Sequence, residues 1–256
     1  MKLIVYSSDD IAGGNIARIL ESEFKLKKKV DIVEVEGNLK NETTFPHTPE
    51  VCIVASRHKS ESGKPTLTCH ATGNFGKAEM GGSDGRLQLT NALYLRKALL
   101  LLKEKQQKYG LPHDVSLEVT HHGPTDLPFP LLYVEVGSSE EQWNNMVACR
   151  AVAEVINKLY VGEPETTNVA VGFGGPHYAP NFTEITKNIA LGHIMPKHAM
   201  GYASREMINQ MIEKTTPKPE LAVLDWKGLK SEEKQKISKI LEELHIPWKK
   251  THELKE

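Results

Sequence analysis

Four stretches of the chain read as a strand running directly into histidine: TLTCHATGN (Thr66 to Asn74), LEVTHHGPT (Leu117 to Thr125), VAVGFGGPHYAP (Val169 to Pro180) and ALGHIMPKH (Ala190 to His198). Histidine titrates near neutral pH and is the commonest metal ligand. In an open α/β sheet, ligands bind outside the carboxyl ends of the strands. Four strand ends that each deliver imidazole beside glycine point to one shared reactive pocket.

The individual residues carry different weight. His70 is followed by Ala71-Thr72-Gly73-Asn74, a glycine-bearing turn. His121 and His122 are adjacent, and neighbours in extended chain face opposite ways. Both reach one site only if the chain turns, and Gly123-Pro124 supplies that turn. His177 lies in a glycine-rich segment whose Gly174 and Gly175 amides are candidates for an anion or oxyanion nest. His193 and His198 have a proline between them, so they are no helical metal pair. His47, His58, His113, His245 and His252 read mostly as solvated. Glu118 and Glu135 share strands with the histidines and are possible metal partners. No H-E-x-x-H spacing occurs, so spacing alone is a weak argument for zinc.

Two other patterns are weighed. Gly81-Gly82-Ser83-Asp84-Gly85 matches G-x-S-x-G, but that motif needs a strand before it and a helix after it. A polar, glycine-rich segment precedes it here, so a loop is expected and an α/β-hydrolase is not. Arg57, Lys59, Lys64, Lys77 and Arg86 flank His70 in sequence and would suit a substrate with a phosphate backbone.

The elements that must position these groups alternate. Strands are expected at Lys2–Tyr6, Val30–Val35, Val51–Ala55, Leu67–Cys69, Val115–Val119, Leu131–Val136, Val169–Phe173, Ala190–Met195 and Leu221–Leu224. Helices are expected at Ile11–Leu20 with Asp9 or Asp10 as N-cap, at Leu87–Gln107, from the capping-box pattern at Ser138-x-x-Glu141 to about Leu159, at Ser204–Lys214 and at Ser231–Leu244. This order predicts a single α/β domain over residues 1–256, with a mixed, mostly parallel sheet and helices on both faces.

Composition sets the outer bounds. With 39% apolar and 25% charged residues among 256, the chain can build a sizeable core. A formal net charge of −1 names no polyanionic partner, so nucleic acid would need a local basic patch. The three cysteines form no C-x-x-C pair and are expected as buried thiols in a reducing compartment. No signal peptide or apolar run of about 20 residues is seen, so a cytoplasmic protein is expected.

EVTHHGPT, GFGGPHYAP, GHIMPKH and SRHKSESGKPTLTCHATGNFG resemble the archaeal and plant type of D-aminoacyl-tRNA deacylase, with likeness from KLIVYSSDD to about Met207. The resemblance implies hydrolysis of the ester joining a D-amino acid to the tRNA 3′ end. It also implies zinc dependence and a fold related to peptidyl-tRNA hydrolase and phosphorylase-like proteins. On that reading His70, His121 and His122 are the catalytic candidates. Asn74, Gly123, Gly174, Gly175, Lys77 and Arg57 are expected to bind D-aminoacyl-tRNA, and His177, His193 and His198 to hold zinc. A monomer or small homo-oligomer without membrane contact is expected. The alternatives are a metal-dependent hydrolase or phosphorylase of a small molecule, and a non-catalytic RNA-binding module.

Overall fold

Apolar runs flanked by turn residues become strands, and amphipathic runs become the helices that cover them. A computed structural model describes residues 1–255. The first half of the chain comprises β1 (Leu3–Ser7), α1 (Ile11–Phe24), β2 (Ile32–Val35), β3 (Cys52–Lys59), β4 (Thr66–His70), β5 (Thr90–Asn91), α2 (Ala92–Lys108) and β6 (Asp114–Leu117). Then come β7 (Leu131–Ser138), α3 (Glu140–Trp143), α4 (Met146–Val161), β8 (Val169–Phe173), α5 (Pro180–Ile185) and β9 (Ala190–Met195). The last part holds α6 (Arg205–Glu213), β10 (Thr215–Thr216), β11 (Leu221–Leu224), α7 (Ser231–Glu243) and β12 (Trp248–Lys250).

The strands divide between two main sheets instead of one. A six-stranded sheet has the order β2-β1-β3-β7-β4-β6, and a four-stranded sheet the order β12-β11-β8-β9. Pairing is parallel throughout both except between β7 and β4. The mixed, mostly parallel character expected of the chain is therefore present in the six-stranded sheet. In the four-stranded sheet Val171, Phe173, Ala222 and Leu224 pack on Met207, Met211, Ile237 and Leu241 of α6 and α7, while α2 lies against β9 on the other side.

The six-stranded sheet is covered differently on its two faces. Ile4, Ile53, Leu132 and Val134 pack on α1, α2 and α4. The opposite residues Leu3, Val5, Cys52, Val54, Leu131 and Tyr133 are covered by Leu39, Leu127 and Phe129 from connecting segments, not by helices. Side chains alternate along a strand. Ser56, His58, Thr68, His70 and Glu135 therefore share this helix-free face.

Several boundaries depart from the sequence expectation. Ser138 forms no capping box, because its hydroxyl donates to the Lys64 carbonyl at 2.7 Å. The expected single helix is split, and Asn145 caps α4 by accepting from the Val147 and Ala148 amides, both at 3.1 Å. The leucine-rich helix starts late, at Ala92, where the Asn91 side chain accepts from the Leu93 amide at 3.1 Å. Strand β6 ends at Leu117, and the next residues pair with another segment: the Val119 amide donates to the His177 carbonyl at 3.0 Å. That crossing carries His177 from the smaller sheet to Glu118. Among the described residues no helix is long and apolar enough to cross a membrane.

Candidate active site

Five histidines and two glutamates meet on the helix-free face. His58 comes from β3, His70 from the end of β4, Glu135 from β7, Glu118, His121 and His122 from the segment after β6, and His177 from the turn after β8. Ring centroids of His70 and His121 lie 4.2 Å apart, His121 and His122 4.5 Å, and His121 and His177 4.7 Å. Strands β4 and β6 run against β7, so these groups gather over the sheet face and not along one carboxyl edge. His121 and His122 serve one site because the chain turns at His122, whose φ is 42°.

The carboxylates link the rings. Glu118 Oε1 lies 3.1 Å from His58 Nδ1, and its Oε2 lies 3.1 Å from His177 Nε2 and 3.4 Å from His121 Nε2. Glu135 Oε2 is 3.5 Å from both His58 Nδ1 and His70 Nε2. Burial works against the charged forms of His58 and His70, but Glu135 and Glu118 outweigh it and raise both histidines. Burial likewise opposes ionisation of Glu118 and Glu135. The facing histidines prevail, so both carboxylates stay below their usual range. His121 is pushed down to about 3 by burial and by the positive charge of His70, and His122 is held well below its ordinary value by burial and its histidine neighbours. The carboxylates thus favour the charged forms of His58 and His70, while burial holds His121 and His122 toward the neutral form.

The cluster fits a metal ion. The Nδ1 atoms of His70, His121 and His122 face the carbonyls of Ala71 (3.1 Å), Val119 (2.8 Å) and Gly123 (2.6 Å). A ring whose Nδ1–H is held by a carbonyl presents its Nε2 lone pair, as metal-binding imidazoles do. Buried His70 Nε2 and both Glu118 oxygens lack a well-directed hydrogen-bond partner. The donor atoms of His70, His121 and His122 lie within 4.8 Å of one another, and so do those of His58, Glu118 and His177.

Several expected roles need correction. His177, His193 and His198 do not form one ligand group. His193 is fully buried within β9, with Nε2 2.9 Å from the Gln88 carbonyl and Nδ1 3.2 Å from the Thr120 hydroxyl, while His198 is exposed. The Gly174 amide donates to the Met195 carbonyl at 2.8 Å and is not free to hold an oxyanion. Asn74 braces a loop, donating to the Gly81 carbonyl at 2.8 Å, and Lys77 points to solvent. Gly123 is a packing position: a Cβ there would lie 2.1 Å from the Lys40 carbonyl oxygen. Ser83 sits in a loop with its hydroxyl on Asp126 at 2.7 Å. His58 and His113 are buried, not solvated. His58 was legible only if the strand VCIVA is extended through Ser56-Arg57-His58, so that alternate residues keep facing one way.

His193 has a thermodynamic consequence. Burial pushes its pKa down to about 4 from an ordinary 6.5. The unfolded chain therefore takes up a proton first as pH falls, and stability present above pH 6.5 drains away toward pH 4. The full loss from this residue is about 3 kcal/mol. Urea unfolding at pH 7 and pH 4.5 should show it, and a His193→Gln variant that still folds should show a shallower slope. An unchanged slope would refute the assignment.

A cavity of about 990 Å³ opens over the cluster, with His58, His121, His122, Tyr133, Glu135 and His177 in its wall. Its volume is at the upper end for small-molecule sites.

Comparison with known proteins identifies the family. The model of a family described as D-aminoacyl-tRNA deacylase matches residues 45–249. A D-aminoacyl-tRNA deacylase from Cenarchaeum symbiosum is 34% identical over 252 residues, covering 94% of this chain and 96% of its own. One from Thermococcus kodakarensis is 36% identical over 275 aligned positions, covering 96% and 98%. A crystal structure of a conserved protein of unknown function shares the fold with a TM-score of 0.92 at 29% identity, covering 100% of this chain and 96% of that one. The match to the family model and the near full-length relatives together place this chain in the D-aminoacyl-tRNA deacylase family.

Proposed function

We propose that the chain hydrolyses the ester of D-aminoacyl-tRNA to free D-amino acid and tRNA, acting in the cytoplasm as a monomer or small homo-oligomer. The observation that carries this reading is the histidine–glutamate cluster in the wall of a cavity large enough for an aminoacylated nucleoside. The relatives' shared name favours tRNA over a small-molecule substrate.

His70, His121 and His122 are the residues best arranged to hold zinc. An ion there would supply Lewis-acid polarisation of the ester carbonyl and a bound water of lowered pKa. The proton chemistry falls to His177, whose side chain is 42% exposed to the cavity while its Nε2 lies 3.1 Å from Glu118 Oε2. Glu118 holds the Nε2–H tautomer, which leaves Nδ1 as the nitrogen with the lone pair. Nδ1 takes a proton from water as the water oxygen attacks the ester carbonyl carbon. When the tetrahedral intermediate collapses, the bond to the ribose oxygen breaks and His177 returns the proton to that oxygen.

The test is hydrolysis of matched D- and L-aminoacyl-tRNA, with and without a chelator. Turnover of the D form alone, lost on chelation and restored by zinc, is the expected result. Equal rates on both enantiomers would remove the reading.

A further inference from the structure

The cavity has a second end, away from the imidazoles. In the six-stranded sheet β2 lies on one side of β1 and β3 on the other, so the strand order reverses between β1 and β3. The crevice beyond the carboxyl ends at such a reversal is where open α/β sheets take ligands. Ser7 and Asp10 from β1 and its turn, with Ser56 and Arg57 from β3, line the cavity there. Arg57 precedes His58 on β3, so the two side chains project to opposite faces and the cavity reaches both around the strand end.

Arg57 is held in place but chemically unspent. Its guanidinium lies over the Trp143 ring, 5.1 Å from the centroid. The Trp143 Nε1–H donates to the His58 carbonyl at 2.9 Å, which ties that ring to the same strand. Asp10 is the nearby acid, yet its carboxylate already accepts from the Gly13 amide (2.8 Å), the Arg57 amide (2.8 Å) and the Ser56 hydroxyl (2.9 Å). Among the described residues the Arg57 guanidinium has no ion pair and no hydrogen bond. The other arginines differ: Arg18 holds a backbone carbonyl, and Arg86, Arg96, Arg150 and Arg205 each hold a carboxylate.

A planar guanidinium with free donors, set over an indole in a ligand crevice, matches the fork geometry of phosphate. Phosphate contacts fix the register of a nucleic acid and leave base identity unread. We propose that Arg57, backed by Trp143, is a phosphate subsite for the single-stranded 3′ end of the tRNA, an inference that rests on the deacylase reading for its ligand. The strand end then crosses the carboxyl edge of β3, with a phosphodiester at Arg57 and the aminoacyl ester at the histidines.

The first readout is binding, and turnover is the second. The probes are the dinucleotide CpA and its methylphosphonate analogue, which has the same shape without the charge. Wild-type protein should bind CpA about tenfold tighter than the neutral analogue. Arg57→Gln should bind both equally, with the salt slope for tRNA binding reduced by about one. Arg57→Lys keeps the charge and should recover part of the preference. Circular dichroism checks that each variant is folded. In turnover, Arg57→Gln should raise KM with kcat within about twofold, as expected when uniform binding is removed. Equal affinity for the two probes in the wild type, or an unchanged preference in folded Arg57→Gln, overturns the subsite. Wild-type protein that prefers CpA but hydrolyses no D-aminoacyl-tRNA would sink the deacylase reading and leave the subsite standing.

Discussion

Replacing Glu118 by glutamine is expected to lower kcat/KM for D-aminoacyl-tRNA by about 100- to 1000-fold, the range lost when a group that orients a base or ligand is removed. The side chain is fully buried and one carboxylate serves three imidazoles, with contacts of 3.1 Å to His58, 3.1 Å to His177 and 3.4 Å to His121. Glutamine preserves the shape but supplies only one acceptor, and its NH₂ meets a ring nitrogen that itself carries hydrogen. His177 then loses the partner that fixes its tautomer. Stability should also fall, by about 1–3 kcal/mol, because buried donors are left without an acceptor. The assay therefore belongs at a temperature where urea unfolding shows the variant folded. A folded Glu118→Gln protein within tenfold of wild-type activity would end the role given to this residue.

Much of this site is legible in the sequence. Strand ends loaded with histidine named His70, His121, His122 and His177, and the structure brings these four to one face. The strands at Val169–Phe173, Ala190–Met195 and Leu221–Leu224 fall where their apolar runs do. What stayed hidden depended on direction and register. GHIMPKH looks like the other three stretches, yet His193 falls inside β9 and is spent on a backbone carbonyl and a hydroxyl. Glu118 and Glu135 looked like possible metal partners, but their role as links between rings needs the antiparallel β4–β7 pairing, which sets Thr68 against Glu135 and His70 against Tyr133. His58 lies outside the apolar stretch that announces its strand, which runs four residues beyond that stretch. The division into two sheets is likewise invisible to a reading that sees only alternation of strands and helices.

That same dependence on tertiary contact makes Gly123 the most sensitive backbone position near the cluster. A Cβ on this residue would stand 2.1 Å from the Lys40 carbonyl oxygen, 2.5 Å from the Gly82 nitrogen and 2.7 Å from the Gly81 carbonyl carbon. All are backbone atoms, so no flexible side chain can swing aside. The segments that press on it are the covering stretch around Leu39–Asn41 and the glycine loop braced by Asn74. The Gly123 carbonyl in turn anchors His122 Nδ1 at 2.6 Å. Gly123→Ala is therefore expected to cost about 2–4 kcal/mol, at or beyond the upper range for overpacking, and to reduce deacylation at least tenfold by moving His122. Gly14→Ala is the matched control. It lies in α1 with nothing within 4 Å of the added methyl, and it should hold or raise stability by up to about 1 kcal/mol. Calorimetric melting of both variants separates the cases: if Gly123→Ala melted with the wild type, the loop contact could not be what fixes His122, and the position of the cluster would have to be set by the strands alone.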